Sequence, residues 1–201
     1  MSRGPVRFEV ASLCGLALAA LGTIRPAQCA DLPAVGSILV AAPSPPDRDF
    51  ARTVILLVHS GQEGVVGLIL NRPSGFPIAH LFPEMKSTPA GAAAARNPLY
   101  LGGFVAQGVR AVLLSASPHQ GARPLLSRVW LILSPGDVAA LARAGQRPMA
   151  FRAYAGYAGW SQNQLRNELL LRDWRVVPGS AAIIFDPHPE TLWNRLSAAR
   201  H

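Results

Sequence analysis

Arg52-Thr53-Val54-Ile55-Leu56-Leu57-Val58-His59, followed by Gly64-Val65-Val66-Gly67-Leu68-Ile69-Leu70-Asn71-Arg72-Pro73, is the stretch that decides the fold. Thr53–His59 is apolar and β-branched through most of its length, which suits a strand buried on both faces. Ser60-Gly61-Gln62-Glu63-Gly64 reads as a hairpin turn, and Val65–Leu70 as a second buried strand. Pro73 cannot donate to a ladder, and it pushes Arg72 into extended geometry. Asn71 and Arg72 therefore emerge at a strand end, where polar side chains can face a cleft.

The rest of the chain extends this pattern. Ser37–Ala42 is a short apolar run stopped by Pro43-Ser44-Pro45-Pro46, hence a strand leaving into a turn. Tyr100–Gly103 and Val109–Ser115 read as strands flanking a Gly-rich turn, and Val129–Leu133 as another strand. Ser134-Pro135-Gly136-Asp137 carries a cap, a first-turn Pro and an acid, so a helix opens there with Val138, Leu141 and Ala142 on its apolar face. Met149–Tyr154 reads as a strand running into a turn at Gly156-Tyr157-Ala158-Gly159-Trp160. Ser161 and Gln164 then form a capping box ahead of a helix with Leu165 and Leu169 one turn apart. Trp174–Val177 and Ala182–Phe185 read as late strands, and Pro189–Ser197 as a closing helix. Ser87–Pro98 is low in complexity and reads as a flexible loop, near residues 86–98. Strands with interspersed short helices and no regular βαβ rhythm argue an α+β domain.

Composition bounds the function. Of 201 residues, half are hydrophobic and 15% charged, which fits one compact domain over residues 31–201. Arg outnumbers Lys eighteen to one, but the arginines are scattered rather than clustered. There is no helix-turn-helix, basic stripe or interleaved aromatic series, so specific nucleic-acid binding is not expected. Residues 1–30 read as a signal peptide: Arg3 and Arg7 precede the uncharged run Ala11–Ile24, too short for a membrane span. Small-residue cleavage after Cys29 or Ala30 would send the mature protein to the periplasm or outside the cell. The alternative is a start codon assigned too far upstream, which would leave the protein cytoplasmic. Both cysteines, Cys14 and Cys29, fall in this leader, so the mature chain has no internal disulfide. It keeps 16 basic against 10 acidic side chains, a net +6, and no transmembrane span.

The motifs together resemble the YqgE/AlgH family. Asp47/Asp49-Phe50-Ala51-Arg52-Thr53-Val54-Ile55 is similar to its acidic, aromatic and Arg-Thr-Val-Ile entry into a strand. Gly67-Leu68-Ile69-Leu70-Asn71-Arg72-Pro73 is similar to its Gly-Leu-x-x-Asn-Arg-Pro signature, and Tyr100-Leu101-Gly102-Gly103-Phe104-Val105 to its Tyr-x-Gly-Gly-Pro-Val, with Phe104 in place of Pro. Gly156–Trp160, with Gln164-Leu165 and Glu168-Leu169, matches its helix entry. The resemblance spans about Gly36 to Leu196. It implies a twisted, largely antiparallel sheet forming a pseudo-barrel with short helices packed outside. It also implies a family without established biochemistry, often labelled as regulators of transcription.

Two function classes follow. The first is a non-enzymatic binding or regulatory protein, taking an unidentified protein or small-molecule ligand near Arg52, His59, Asn71, Arg72, Gly102 and Gly103. Arg offers a planar donor fork, Asn both a donor and an acceptor, and paired glycines let backbone approach a ligand. Arg72 at a strand end reads more often as a clamp on carbonyls or on Asp47 or Asp49. Tyr157 and Trp160 read as a turn anchored on the core or, alternatively, as an aromatic platform for a ligand. The second class is a hydrolase or transferase using His59 with Arg72 in a cleft, in which His59 acts as the base. Ser60 adjoins His59 and points to the opposite face of a strand, so no nucleophile accompanies it. Asp186-Pro187-His188-Pro189-Glu190 mimics a metal cluster without a second His at ligand spacing. No catalytic residue, metal or cofactor is assigned.

Overall fold

The computed structural model describes residues 31–199, apart from 46, 82, 84–85, 87–88, 116–120, 135 and 138–150. The expected leader, residues 1–30, lies outside that range. The helix expected at Ser134 begins as foreseen, with the Asp137 N–H reaching Ser134 Oγ at 3.4 Å, but its apolar face (Val138, Leu141 and Ala142) also lies outside.

Among the described residues, ten strands alternate with short helices. They are β1 (Ile38–Ala41), β2 (Val54–Gly61), β3 (Gly64–Ile69), β4 (Pro73–Pro77), β5 (Pro98–Leu101), β6 (Val105–Ser115), β7 (Arg123–Leu126), β8 (Val129–Ile132), β9 (Phe151–Trp160) and β10 (Trp174–Val177). Beyond the helix start at Ser134, the α-helices among the described residues are α1 (Pro89–Ala94), α2 (Gln162–Leu170), α3 (Ala181–Ile184) and α4 (Pro189–Ala198). The sheet order is β10-β1-β2-β3-β9-β6-β8-β7, with β5 joining β9 and β4 joining β5. Among the described residues only the β5–β9 pairing is parallel. The mixed α+β class and the large twisted sheet match the sequence reading.

The sheet curls until its far end meets its beginning. A Cβ on Gly36, whose φ is +92°, would lie 2.3 Å from the Leu126 side chain, so β7 presses on the turn before β1. Arg123 at the start of β7 reaches the Val58 carbonyl on β2 at 3.4 Å. The main core fills the interior with β1, β2 and β3, to which Tyr154, Trp160 and Leu165 add. Helix α4 covers β1, where the buried Trp193 indole donates to the Ala41 carbonyl at 2.9 Å.

Several elements differ from expectation, each for a local reason. The Gly156–Trp160 segment is the end of the ten-residue strand β9 rather than a turn. Gly156, at φ +69°, serves a close backbone crossing with Gly102. The expected strand over Ala182–Phe185 is helix α3, capped by Ser180 Oγ on the Ile183 N–H; a short apolar run does not distinguish the two forms. The expected loop over residues 86–98 contains α1, whose Pro and alanines are a helix start and strong formers. Strands β4 and β7 were not foreseen. Among the described residues no helix is long and apolar enough to cross a membrane.

Candidate functional site

The family motifs converge on one corner of the sheet, where β2 begins and β3 ends. Arg52 enters β2 with φ +56°, in the left-handed region that side chains avoid. Asn71, just past β3, clamps it. Its Oδ1 accepts from the Val54 N–H at 2.9 Å and its Nδ2 donates to the Arg52 carbonyl at 2.8 Å. Arg72 Nη2 donates to the carbonyls of Asp49 and, at 3.4 Å, Ala51, holding the 3₁₀ turn Arg48–Phe50 against the strand end. Burial lowers the Arg72 pKa and the nearby Asp49 charge opposes that shift. The Arg52 guanidinium lies over the Trp193 ring at 5.3 Å, and that of Arg72 over Phe104 at 5.4 Å.

The glycine pair also faces protein. A Cβ on Gly102 would stand 2.3 Å from the Gly156 carbonyl oxygen, and one on Gly103 would stand 2.0 Å from the Tyr157 carbonyl carbon. The Gly102 N–H donates to Ala155 and its carbonyl accepts from Ile69, both at 2.8 Å. Here the absent side chains let two backbones cross.

An aromatic cluster backs the corner. Phe50 stacks on Trp160 at 5.9 Å and meets Trp174 and Phe104 edge-on at 5.7 and 5.8 Å. Trp160 is 5% exposed, so its ring is core, while Tyr157 is half-buried and paired with Val105. Glu168 on α2 ties the cluster. Its Oε2 accepts from the Trp160 and Trp174 indoles at 2.9 and 2.7 Å, and its Oε1 from Gln164 at 2.9 Å. Beside these, Phe104 and Val105 are 46% and 44% exposed. Val105 pairs with Tyr157 but Arg110 with Ala155, so β6 bulges between them, and Ala106 sits at φ +45°.

His59 stands apart. It is exposed near the far end of β2, opposite Val66. A rise of ~3.3 Å per residue puts roughly 17 Å of strand between it and Val54 beside the clamp. The structure therefore brings together Arg52, Asn71, Arg72, Gly102, Gly103, Tyr157 and Trp160, and leaves His59 outside. His188 caps α4 and lies 3.6 Å from Glu190. Among the described residues no group of three potential ligands could hold a metal.

Sequence reasoning missed three parts of this region. Glu168 as a shared acceptor has no local signal, because Trp174 lies beyond the helix end. The exposure of Phe104 depends on the β6 bulge. Arg152 is buried, reaching the Leu70 carbonyl at 3.3 Å and the Asp186 carbonyl, with Tyr100 beneath it at 4.7 Å. Next to it, burial raises the Tyr154 pKa and the Arg152 charge opposes that.

Comparison with known proteins agrees with this architecture. A UPF0301 protein of Shewanella sp. (strain ANA-3) is 33% identical over 165 residues, covering 80% of this chain and 88% of its own. One from Stutzerimonas stutzeri (strain A1501) is 36% identical over 156 residues, covering 77% and 82%. The solution structure of the AlgH protein from Pseudomonas aeruginosa superposes with a TM-score of 0.64 at 34% identity, over 81% of this chain and 85% of that one. The crystal structure of protein DIP2367 from Corynebacterium diphtheriae gives 0.67 at 26% identity, over 83% and 86%. The AlgH-like family model (DUF179) matches residues 38–200, and the chain belongs to that family.

Proposed function

We propose that this is a non-enzymatic binding protein whose partner surface is the corner carrying Phe104 and Val105 beside Arg52 and Arg72. The observation that carries this reading is the convergence of the motif residues on one corner that exposes two large apolar side chains. Two non-glycine residues with left-handed backbone, Arg52 and Ala106, flank the surface. Such strain persists only where its surroundings hold it, and it is concentrated at functional sites. Exposed apolar side chains beside guanidinium groups suit a protein partner with an apolar and acidic face.

The hydrolase or transferase reading draws no support from the corner, because His59 is at the other end of the hairpin. The transcriptional label of the family fits regulation through a protein contact better than direct DNA binding, given a net +6 over the mature chain without clustering. Residues 1–30 fit a leader that places the mature chain outside the cytoplasm. N-terminal sequencing from native cells tests that separately, with a start at Ala30 or Asp31 expected and an intact Met1 overturning it.

The test is affinity capture from the protein's own cell extract with wild type and with Phe104→Ser, a change at an exposed position that leaves the Asn71 hydrogen bonds in place. A partner retained by wild type and lost with Phe104→Ser is expected. Equal capture by both, or turnover of a substrate dependent on His59, would overturn the reading. Sequence-selective duplex binding tighter than about 10⁻⁸ M at physiological salt would restore a direct regulator.

A further inference from the structure

We propose that the cavity between the 3₁₀ turn Ile78–His80 and helix α1 is a binding site for a small carboxylate with an apolar body. The cavity measures about 340 Å³ and is lined by Pro77, Ala79, Lys86, Ala92, Ala95 and Arg96. That volume lies at the small end of ligand pockets. A cavity of about 150 Å³ holds benzene, so this one has room for roughly twelve heavy atoms.

The space follows from the sequence. The alanine-rich run after Pro89 forms α1, and its side chains are too short to fill the gap to the turn. Backbone bonds fix the turn against the segment after α1: the Ile78 N–H donates to the Asn97 carbonyl and the Ala79 N–H to the Ala95 carbonyl, both at 2.9 Å. Those two N–H groups are thereby committed and offer a ligand nothing. Ile78, Ala95 and Leu99 are buried together in the smaller core cluster. Four of the six lining residues are Pro or Ala. A sugar or a nucleobase would leave polar groups unpaired against them, whereas an aliphatic or aromatic body gains by leaving water.

The other two lining residues, Lys86 and Arg96, are exposed cations. Among the described residues neither forms an ion pair. From Gly64 to Gly136 the chain has six basic side chains and one acid, Glu84, which lies outside the described residues. A guanidinium binds a carboxylate through two parallel hydrogen bonds, and an ammonium adds a point charge. The ligand that matches both halves of the lining has one carboxylate head and an apolar body of up to about ten carbons. Its head sits between exposed cations, so the association is modest and salt-sensitive.

The experiment is titration of the full chain with octanoate, followed by calorimetry and by backbone amide NMR. We expect saturable one-to-one binding at millimolar octanoate or below, with amide shifts at Ala79, Ala92, Ala95 and Arg96. Affinity should rise from butyrate to octanoate and gain nothing more at dodecanoate, because the cavity is then full. The double change Lys86→Gln with Arg96→Gln, both at exposed positions, is expected to weaken octanoate about tenfold, and octanol should bind wild type about as weakly as octanoate binds that variant. Ala92→Leu fills the cavity and should abolish saturable binding; should that variant unfold, the chain-length series and the charge variant still decide. Inorganic phosphate, a head without a body, should not displace octanoate. No saturable binding at millimolar octanoate overturns the proposal. So do shifts that fall elsewhere, such as on Phe104 and Val105, an affinity that keeps rising at dodecanoate, equal binding of octanol, or displacement by phosphate.

Discussion

Asn71 holds Arg52 in a left-handed backbone conformation by donating to its carbonyl at 2.8 Å while accepting the Val54 N–H at 2.9 Å. The Asn-Arg-Pro motif is thus a backbone clamp first: Asn71 fixes the entry to β2, Arg72 fixes the turn before it, and Pro73 starts β4. The corner's surface residues are displayed on this clamp. Asn71→Ala leaves the Val54 N–H without its acceptor at a part-buried site and removes the restraint on a strained residue, so it is expected to cost about 2–3 kcal/mol. Asn71→Asp should be nearly as damaging, since a carboxylate keeps the acceptor but faces the Arg52 carbonyl without a donor. Urea melts check both; a loss under about 0.5 kcal/mol for Asn71→Ala would remove the clamp from the account.

Gly103→Ala tests the second restraint. The added Cβ would sit 2.0 Å from the Tyr157 carbonyl carbon and 2.3 Å from the Ala158 nitrogen, both backbone atoms of β9. No rotamer change relieves a backbone clash, so β5 and β9 must separate. We expect a loss of about 3 kcal/mol or more, beyond ordinary overpacking. Gly75→Ala is the comparison: its Cβ meets nothing within 4 Å, so only its φ of +81° resists the change. Thermal melts in which the two variants lose the same stability would contradict the crossing.

Much of this was legible in the chain because the signals were local. The β2–β3 hairpin follows from two apolar β-branched runs and the turn between them. Ser161 does cap α2, accepting from the Gln164 N–H at 3.1 Å, and Pro189 does start α4. What the sequence hid was set by distant partners. Gly156–Trp160 reads as a turn from its glycines alone; that the segment is a strand crossed closely by Gly102 and Gly103 depends on residues some fifty positions earlier in the chain. The candidate site was read in the same way. Its residues were grouped by motif, yet the backbone partners of Asn71 and the shared acceptor Glu168 depend on contacts that no spacing reports.

Glu168 joins α2 to β9 and β10 through two indole N–H groups on one oxygen. Glu168→Ala orphans both donors in a part-buried setting and is expected to cost about 2–4 kcal/mol. Glu168→Gln retains one carbonyl oxygen able to accept from both indoles, so its loss should be less than half as large. Tryptophan emission separates the mechanism from a general loss of packing. Both variants should shift emission in the folded state, and Glu168→Ala should shift it more. If Gln proves as costly as Ala, the negative charge matters rather than the acceptor geometry.

The last prediction concerns acid. Asp186 is buried, which by itself would push its pKa up. The Arg195 hydrogen bond at 2.6 Å and the His188 backbone N–H at 2.8 Å outweigh this and hold the carboxyl below its ordinary value. A carboxylate with a depressed folded pKa contributes stability that is complete above its unfolded value of about 3.9. That contribution disappears as pH falls through the folded value, since below it both states bind the proton. Asp186→Asn should therefore be less stable than wild type at pH 7, by about 1–2 kcal/mol, because Arg195 is half exposed and its attraction is partly screened. The gap should stay constant from pH 7 to about pH 5, then narrow below about pH 4 as wild-type Asp186 takes up its proton. Other carboxylates titrate equally in the two proteins and cancel from the difference. Urea melts of both proteins across this range give the curve. A gap that persists undiminished at the acid end would mean that Asp186→Asn destabilises for steric reasons, and that the Asp186–Arg195 pair adds nothing through its charge.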